Sequence, residues 1–249
     1  TDNAKLGSEE ITYYPRKLIG KSIDIDIGTA GSITLLLQSI IIPAMFTKGK
    51  IKISITGGTD VAWSPSYDYV TNVLLPHLKK FAEFEIKLLK RGYYPKGQGK
   101  VELTIQPKWS LEDTSNFEKF HTLLKEQNLP IIQKELHKLV FLKGISHASD
   151  DLQEKRVAER QAETAKLQLN LNCPKHIRTE YTQTASTGSG ITLWAMHSKD
   201  GLEFDFIHPI IIGADTLGEK QKKAEEVGKE AATSLMKEIN ANAPIDQHA

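Results

Sequence analysis

The chain has 249 residues, of which 39% are hydrophobic and 25% are charged. This length and composition are typical of a globular protein with one large domain or two ordinary ones, and they exclude a fibrous or disordered chain. Lysines and arginines number 32 against 31 aspartates and glutamates, so the net charge of +1 provides no global attraction to nucleic acid. A local basic pocket is compatible with that balance.

Cysteine usage and apolar patterning narrow the class of protein further. The single cysteine, Cys173, excludes an internal disulfide framework and a zinc site built from several cysteines, and it favours a reducing compartment. The first residues are polar and acidic, unlike a signal peptide. The longest apolar stretch, Leu35–Phe46, is interrupted by Gln38 and Pro43 and is too short to span a bilayer. We therefore expect a cytoplasmic protein with no membrane partner.

The first half of the chain has a regular order of predicted elements. Alternating apolar and polar residues predict strands, and apolar residues three and four positions apart predict helices. The predicted elements are strands at Lys21–Ile27, Lys50–Ile55, Glu83–Leu89 and Lys100–Ile105, with helices from about Ala30 to Phe46 and from Val70 to Phe81. Residues 21–106 thus form a βαβαββ unit, in which a sheet carries two helices on one face, an α+β arrangement. We expect Pro76 to bend the second helix or crowd its preceding turn.

The second half begins with a polar connection, Pro107–Pro130, that contains a short helix. The elements predicted after it are a strand at Lys138–Ser146, a helix at Asp151–Leu169, strands at Ile177–Gln183, Ile191–His197 and Leu202–Ile207, and a helix at Lys220–Ile239. The pattern changes character at about residue 170. We therefore expect residues from about 170 to 241 to form a separate small module.

Two loops combine residue types that suit ligand binding. Gly57–Pro65 holds two glycines, a carboxylate and an indole, and a binding loop and a plain connector explain it equally well. Arg91–Lys100 holds three cations, two tyrosines and three glycines, which favours contacts to phosphate and bases over a solvated hairpin turn. Within this loop, Arg91 and Lys96 are the candidate phosphate contacts.

Other polar positions have simpler interpretations. Gly28–Ser32 lies between a strand and a helix, where backbone N–H groups can bind an anion, but a tight turn capped by Ser32 is favoured. Gln38 is the only amide in an apolar helix, and the residues alone favour a structural hydrogen bond or an exposed helix face. The eight histidines form neither H-x-x-x-H nor H-E-x-x-H, so no zinc site is predicted. The residues permit binding of a nucleotide or an RNA end without specifying a reaction.

Several motifs, in the same order along the chain, resemble those of the RNA 3′-terminal phosphate cyclase family. The motifs are Gly28–Gln38 (GTAGSITLLLQ), Gly57–Pro65 (GGTDVAWSP), Arg91–Lys100 (RGYYPKGQGK), Val157–Gln161 (VAERQ), Gly190–Ala195 (GITLWA), Gly213–Gly218 (GADTLG), Ala224–Gly228 (AEEVG) and Asp246–His248. The resemblance implies βαβαββ repeats like the C-terminal domain of bacterial initiation factor three, with a smaller α/β domain inserted. On this basis residues 1–169 would belong to the large repeat domain, with the next repeat starting at about 138–169. Residues 170–241 would form the inserted domain, and residues 242–249 would return to the large domain. It also implies that ATP and a divalent metal, Mg or Mn, serve to convert an RNA 3′-phosphate into a 2′,3′-cyclic phosphodiester. The family does so through a covalent histidine–AMP intermediate.

The resemblance assigns three ATP-binding residues by position. Gln38 matches the family's ATP-contacting glutamine, and Pro95 matches a proline that packs on the adenine. His248 matches the residue that stacks on the other adenine face. These assignments reverse the interpretation of Gln38 from the residues alone, and they make Arg91 and Lys96 candidate RNA or phosphate contacts.

The resemblance assigns neither a catalytic residue nor a metal ligand within this chain. The family's Glu-Gly-Gly-Gly-Gln segment, which supplies the metal-binding glutamate, has no counterpart, and the nucleophilic histidine is expected beyond Ala249. We therefore expect the chain to be a central portion that does not self-adenylate alone. The alternatives are a non-cyclase relative that acts in ribosomal RNA processing, and a truncated module that binds RNA ends. Because Gln38, Pro95 and His248 are all present, an ATP site is expected, which argues against the relative that acts in ribosomal RNA processing. Oligomeric state is not predicted.

Overall fold

The structure is a computed structural model that describes residues 2–14, 19–127, 135–201, 203–206 and 209–248. Within these ranges the strands are β1 (Ser22–Asp26), β2 (Ile51–Gly57), β3 (Ala82–Lys90), β4 (Gly99–Pro107), β5 (Lys138–Ser149), β6 (Lys175–Thr182), β7 (Ser189–Ser198) and β8 (Ile210–Leu217). The helices are α1 (Ile33–Ala44), α2 (Tyr67–Tyr69), α3 (Leu75–Leu78), α4 (Phe117–Glu126), α5 (Val157–Gln168) and α6 (Ala224–Ala241). A π-helical turn, Val70–Leu74, joins α2 to α3. The predicted α+β class is confirmed.

The first sheet has the order β1-β2-β4-β3, in which β1 and β2 are parallel and the other pairs are antiparallel. Alternate residues of β2 and β4 point to one face, where α1 and the helical segment 67–78 cover them. This core contains Ile51, Ile53, Ile55, Val101, Leu103 and Ile105 from the strands and Ile33, Leu37, Ile41, Tyr67, Val70 and Leu75 from the helices. The βαβαββ order predicted for residues 21–106 is therefore confirmed.

Pro76 stands in the first turn of α3, immediately after the π-helical turn. In that turn the backbone N–H of Leu75 donates to Val70 O, five residues back, which widens the helix. A proline lacks an N–H donor and its ring crowds the preceding turn, so a widened turn is a physical solution to both problems. The predicted disturbance of this helix at Pro76 is confirmed in this form.

The second sheet has the order β6-β5-β7-β8 and shows that the predicted boundary at residue 170 is wrong. β5 pairs in parallel with β6 and antiparallel with β7, so residues 138–149 belong to the same sheet as residues 175–217. Helices α5 and α6 pack together on one face of this sheet. The strand predicted to start another repeat of the first unit therefore belongs to the second. A local sequence pattern gives strand positions but not which strands pair.

The strand β8 replaces the one predicted at Leu202–Ile207. Leu202 and Ile207 lie outside the described residues, as does Pro130 at the end of the predicted polar connection, and Glu203–Phe206 are not in a strand. β8 instead covers Ile210–Leu217, where the first five residues are buried. A strand buried on both faces has no alternation of apolar and polar residues, so the period-two signal was absent.

A third apolar cluster joins the two halves. Tyr69 and Val73 of the first unit pack against the face of the second sheet opposite α5 and α6. Their partners there are Ile145, Trp194, Met196 and Ile211. The order of layers is therefore sheet, helices, sheet, helices. Among the described residues, no helix is both long and apolar enough to cross a membrane.

Candidate functional site

Three glycine-rich loops meet at the carboxyl ends of β1 and β2. They are residues 28–32, 57–65 and 91–99, and backbone hydrogen bonds join them directly. Gly58 N donates to Gly31 O at 2.9 Å, and Ile33 N donates to Gly58 O at 2.8 Å. Thr59 N donates to Gly92 O at 2.9 Å. The Gly57–Pro65 loop, the 91–99 loop and the turn before α1 are thus joined by backbone hydrogen bonds into one surface.

Two of these glycines are required by close backbone approach. A Cβ on Gly58 would lie 2.5 Å from Ala30 O. A Cβ on Gly97 would lie 2.7 Å from Thr29 O, and Gly97 also has a positive φ of 66°. Neither position accepts a side chain without moving backbone. The glycines therefore allow the loops to pack closely together. From the sequence alone this role of a glycine cannot be told apart from one that makes a loop flexible.

Gln38 lies on α1, which begins next to the three loops. Ser32 caps the helix by accepting from Leu35 N at 3.1 Å, so the capping interpretation of this turn is confirmed. The side chain of Gln38 is partly exposed, and its helix neighbours Leu35 and Ile42 are exposed on the outer surface. The amide is therefore accessible to a ligand.

Pro95 and Lys96 are exposed at the tip of the 91–99 loop. The second sheet holds this tip, because Lys96 N donates to Ser186 Oγ at 3.0 Å. The connection between β6 and β7 also packs on the ring of Tyr93, and a Cβ added to Gly188 would lie 2.2 Å from Tyr93 Cγ. The predicted adenine-packing proline thus stands on a loop that both halves of the molecule position.

His248 follows α6 and is partly buried beside the first unit. Its ring contacts the ring of Tyr69 edge-on, with 5.3 Å between the centroids. Asp246 holds this segment, because it accepts from Tyr69 Oη and from Gly213 N, the latter at 2.6 Å. No hydrogen bond or ring contact described for residues 19–127 and 209–248 joins His248 to Gln38 or Pro95.

Arg91 is not at the surface, which corrects its assignment as an RNA or phosphate contact. Its side chain is fully buried, with Nη1 3.0 Å from Asp60 Oδ2 and Nη2 2.6 Å from Asp68 Oδ2. Nε also donates to Glu180 Oε1 at 3.0 Å. Three carboxylates thus occupy the guanidinium that a phosphate would need. Arg91 connects the first unit to β6 of the second sheet.

Burial and charge set the protonation states in this cluster. Burial opposes ionisation of Asp60, but the adjacent Arg91 guanidinium outweighs it and lowers the pKa of that carboxyl. Burial raises the pKa of Asp68 to about 6, although Arg91 opposes the shift. Burial and Arg91 lower the pKa of His147 to about 4, so this imidazole is neutral at pH 7.

The neutral His147 connects Tyr93 to Asp60. Burial raises the pKa of Tyr93 well above its ordinary value, so its hydroxyl is protonated and donates to His147 Nδ1 at 2.7 Å. His147 Nε2 faces Asp60 Oδ1, a carboxylate oxygen that can only accept a hydrogen bond, at 3.4 Å. This arrangement places the proton of the imidazole on Nε2 and leaves Nδ1 to accept from Tyr93. The cluster therefore runs from the buried base of the 91–99 loop into β5.

Asp60, Asp68 and His147 are the described residues whose ligand atoms lie close enough together to hold a metal ion. They do not fit the divalent metal that the family resemblance implies. Arg91 already donates to both carboxylates, and its fixed positive charge repels a cation at the same position. All three side chains are also buried away from the exposed loop tip. We therefore derive no catalytic step from a metal in this cluster.

The cluster contains the residues that sequence reasoning missed. Asp68, His147 and Glu180 carried no motif signal, because they are 23, 56 and 89 positions from Arg91 in the sequence. Asp60 is 31 positions from Arg91, so the sequence did not indicate this ion pair either. The sequence Arg91-Gly92-Tyr93 does not by itself indicate a buried ion pair. That prediction would require knowing which strands pair and so which carboxylates lie near the arginine.

Comparison with known proteins gives a consistent result over the whole chain. The sequence model of the family described as RNA 3′-terminal phosphate cyclase matches residues 1–249. The chain is 40% identical over 248 residues to the RNA 3′-terminal phosphate cyclase of Pyrococcus furiosus, covering 99% of this chain and 64% of that protein. It is 41% identical over 252 residues to the protein of that name from Saccharolobus solfataricus, covering 100% and 65%. For Archaeoglobus fulgidus the identity is 37% over 249 residues, covering 99% and 65%. The chain thus spans about 65% of the length of these relatives.

Proposed function

The chain belongs to the RNA 3′-terminal phosphate cyclase family, and from this premise we propose that its full-length protein cyclises RNA 3′-phosphates at the expense of ATP. The observation that carries the proposal is the family match along residues 1–249, together with relatives of that name at 37% to 41% identity. Its partners would be an RNA with a 3′-phosphate end, ATP and a divalent metal. A cytoplasmic location is part of the same proposal.

The proposed reaction has three steps. A histidine outside this chain attacks the α-phosphorus of ATP and releases pyrophosphate, which leaves AMP bound to the imidazole. The RNA 3′-phosphate then takes the AMP from the histidine. Finally the neighbouring ribose 2′-OH attacks the activated 3′-phosphorus, closes the ring and releases AMP. Binding places the 2′-OH and the phosphorus together, so the last step is intramolecular and favoured by proximity.

The described residues would bind and orient the nucleotide. Pro95 is exposed on a fixed loop, which suits packing against the flat face of adenine. Gln38 offers an accessible amide from α1, which can donate and accept hydrogen bonds. His248 lies beside Tyr69 and would stack on the opposite adenine face without having to titrate. Lys96, next to Pro95, carries an exposed ammonium that suits a phosphate of either substrate.

Steady-state kinetics of the full-length protein test these roles. Gln38→Ala should raise the KM for ATP by about 2- to 10-fold, because it removes one or two hydrogen bonds to the bound nucleotide. The KM for RNA should stay unchanged. Ser39→Ala is the matched control, because Ser39 is the next residue on the same helix, is exposed and bonds only Leu35 O among the described contacts. An equal effect of both substitutions would remove Gln38 from the ATP site.

A further inference from the structure

Trp63 lies in the Gly57–Pro65 loop and has a combination of exposure and backbone conformation that folding does not explain. Its side chain is 98% exposed, and its φ is 61°, in the left-handed region. The other described non-glycine residues with positive φ are Asn3, Gln98, His137, Arg156, Gln221 and Asn242, none of which is a large apolar residue. A bulky side chain in this region is an outlier, and an exposed indole gains nothing from the core. The chain holds this side chain in solvent at a conformational cost.

Hydrogen bonds on both sides of Trp63 keep the loop in one shape. Ser64 Oγ donates to Val61 O at 2.9 Å, across the tryptophan. Thr34 Oγ1 of α1 donates to Pro65 O at 2.6 Å in a buried position. On the other side, Thr59 N donates to Gly92 O at 2.9 Å. The backbone that carries the indole is therefore held in one conformation, which lowers the entropy lost when a ligand stacks on it.

The indole stands at the same end of the first sheet as the proposed nucleotide site. Asp60 and Tyr93 form a parallel bridge between the two loops. Three positions beyond each bridge residue lie Trp63 and Lys96, both exposed. An exposed ring and an exposed cation on adjacent loops match a base and its phosphate. This charge and ring pattern favours a nucleic-acid ligand over an apolar protein segment.

We propose that Trp63 is a stacking platform for an unpaired base near the 3′ end of the bound RNA. The inference rests on the proposed function and adds a base contact that the nucleotide site does not supply. Every base has a π-face, so such a platform accepts RNA ends of different sequence. It gives the Gly57–Pro65 loop a role in holding the RNA strand while the neighbouring loop holds ATP.

Equilibrium binding of short single-stranded RNA with a 3′-phosphate to the full-length protein tests the proposal. Trp63→Ala should weaken RNA binding by about 5- to 100-fold, the loss expected for one stacked base, and leave ATP binding unchanged. RNA whose last nucleotides lack bases should bind wild type more weakly but lose nothing further with Trp63→Ala. Trp63→Gly should lose RNA binding equally while melting no lower than Trp63→Ala, because glycine tolerates the positive φ. A loss of binding in that variant is therefore not a loss of fold.

Tryptophan fluorescence supplies a direct readout. RNA should quench the emission of wild type and of the control Trp109→Phe, but not of Trp63→Ala. The proposal is overturned if Trp63→Ala binds RNA as wild type does, or if acrylamide fails to quench Trp63 in the free full-length protein, since other parts of the polypeptide then cover it. Unchanged RNA binding in an active cyclase refutes this inference alone. Weakened binding by Trp63→Ala in a protein that makes no cyclic phosphate supports the platform and refutes the proposed function.

Discussion

The buried Arg91 cluster gives the sharpest prediction about stability. Replacing Arg91 by methionine keeps most of the apolar stem and removes the guanidinium that faces Asp60, Asp68 and Glu180. The side chains of Asp60 and Asp68 are 0% and 3% exposed, so their charges would lose their partner without gaining water. Glu180 is 27% exposed and contributes less, since solvent screens it.

The expected loss follows from those two carboxylates. Breaking a buried ion pair by removing one partner costs about 3–5 kcal/mol of unfolding free energy, and we expect Arg91→Met to fall in this range at pH 7. At pH 5 the loss should be smaller, because the pKa of Asp68 is already about 6 and protonation removes its charge. Adding Asp60→Asn to the variant should restore part of the loss, since one uncompensated charge disappears.

Urea unfolding followed by circular dichroism measures these differences. Arg178→Met is the matched control, because Arg178 pairs with the same Glu180 but its side chain is 59% exposed. Its loss should stay below about 1 kcal/mol. If Arg91→Met costs no more than this control, or costs as much at pH 5 as at pH 7, the cluster does not stabilise the molecule through charge pairing.

Three further predictions concern the same interface between the sheets. The pKa of Asp68 is about 6 in the folded protein against an ordinary value of 3.8. Its contribution to stability is therefore complete below pH 3.8 and is lost as pH rises through 6. The free energy of unfolding in urea should fall by about 3 kcal/mol at most between pH 4 and 7, and Asp68→Asn should remove this fall. His147 has a native pKa of about 4 against 6.5, so its contribution is present above pH 6.5 and lost as pH falls through 4. In His147→Gln the free energy of unfolding should depend less on pH in this acid range. An unchanged pH dependence would mean that burial does not hold the imidazole neutral in the folded protein. Gly188→Ala, whose Cβ would meet the ring of Tyr93 at 2.2 Å, should cost about 1–3 kcal/mol of stability. It should also raise the KM for ATP by displacing the Pro95 loop, and an unchanged KM would contradict that positioning.

The sequence predicted the first unit well because its strands are covered on one face only. Alternation in β2 and β4 reflects a buried face and an exposed face, and the run from Ile33 to Ala44 is long enough to identify a helix. β8 gave no such signal, because its first five residues are buried. The boundary at residue 170 failed for a different reason: parallel pairing of β5 with β6 joins residues across α5, and no local pattern encodes pairing.

In the candidate site too, features set by nearby residues could be predicted from the sequence, and those set by distant residues could not. Ser32 was identified as a cap because capping depends on residues three positions apart. The sequence predicts a surface cation at Arg91, because the partners that bury it are far away in the chain. Pro95 and Lys96 of the same loop are exposed, as a ligand contact requires. The assignment of Gln38, Pro95 and His248 to an ATP site came from family resemblance and stays a prediction.

We propose that the full-length protein closes a 2′,3′-cyclic phosphate on RNA. To test this directly, the protein is incubated with ATP, a divalent metal and an RNA that carries a labelled 3′-phosphate. The product is then treated with phosphatase, and the label that remains on the RNA is measured. We expect label that resists phosphatase, formed only with ATP and accompanied by release of AMP. If the protein binds both ligands but all the label stays phosphatase-sensitive with ATP present, the protein does not have the proposed cyclase activity.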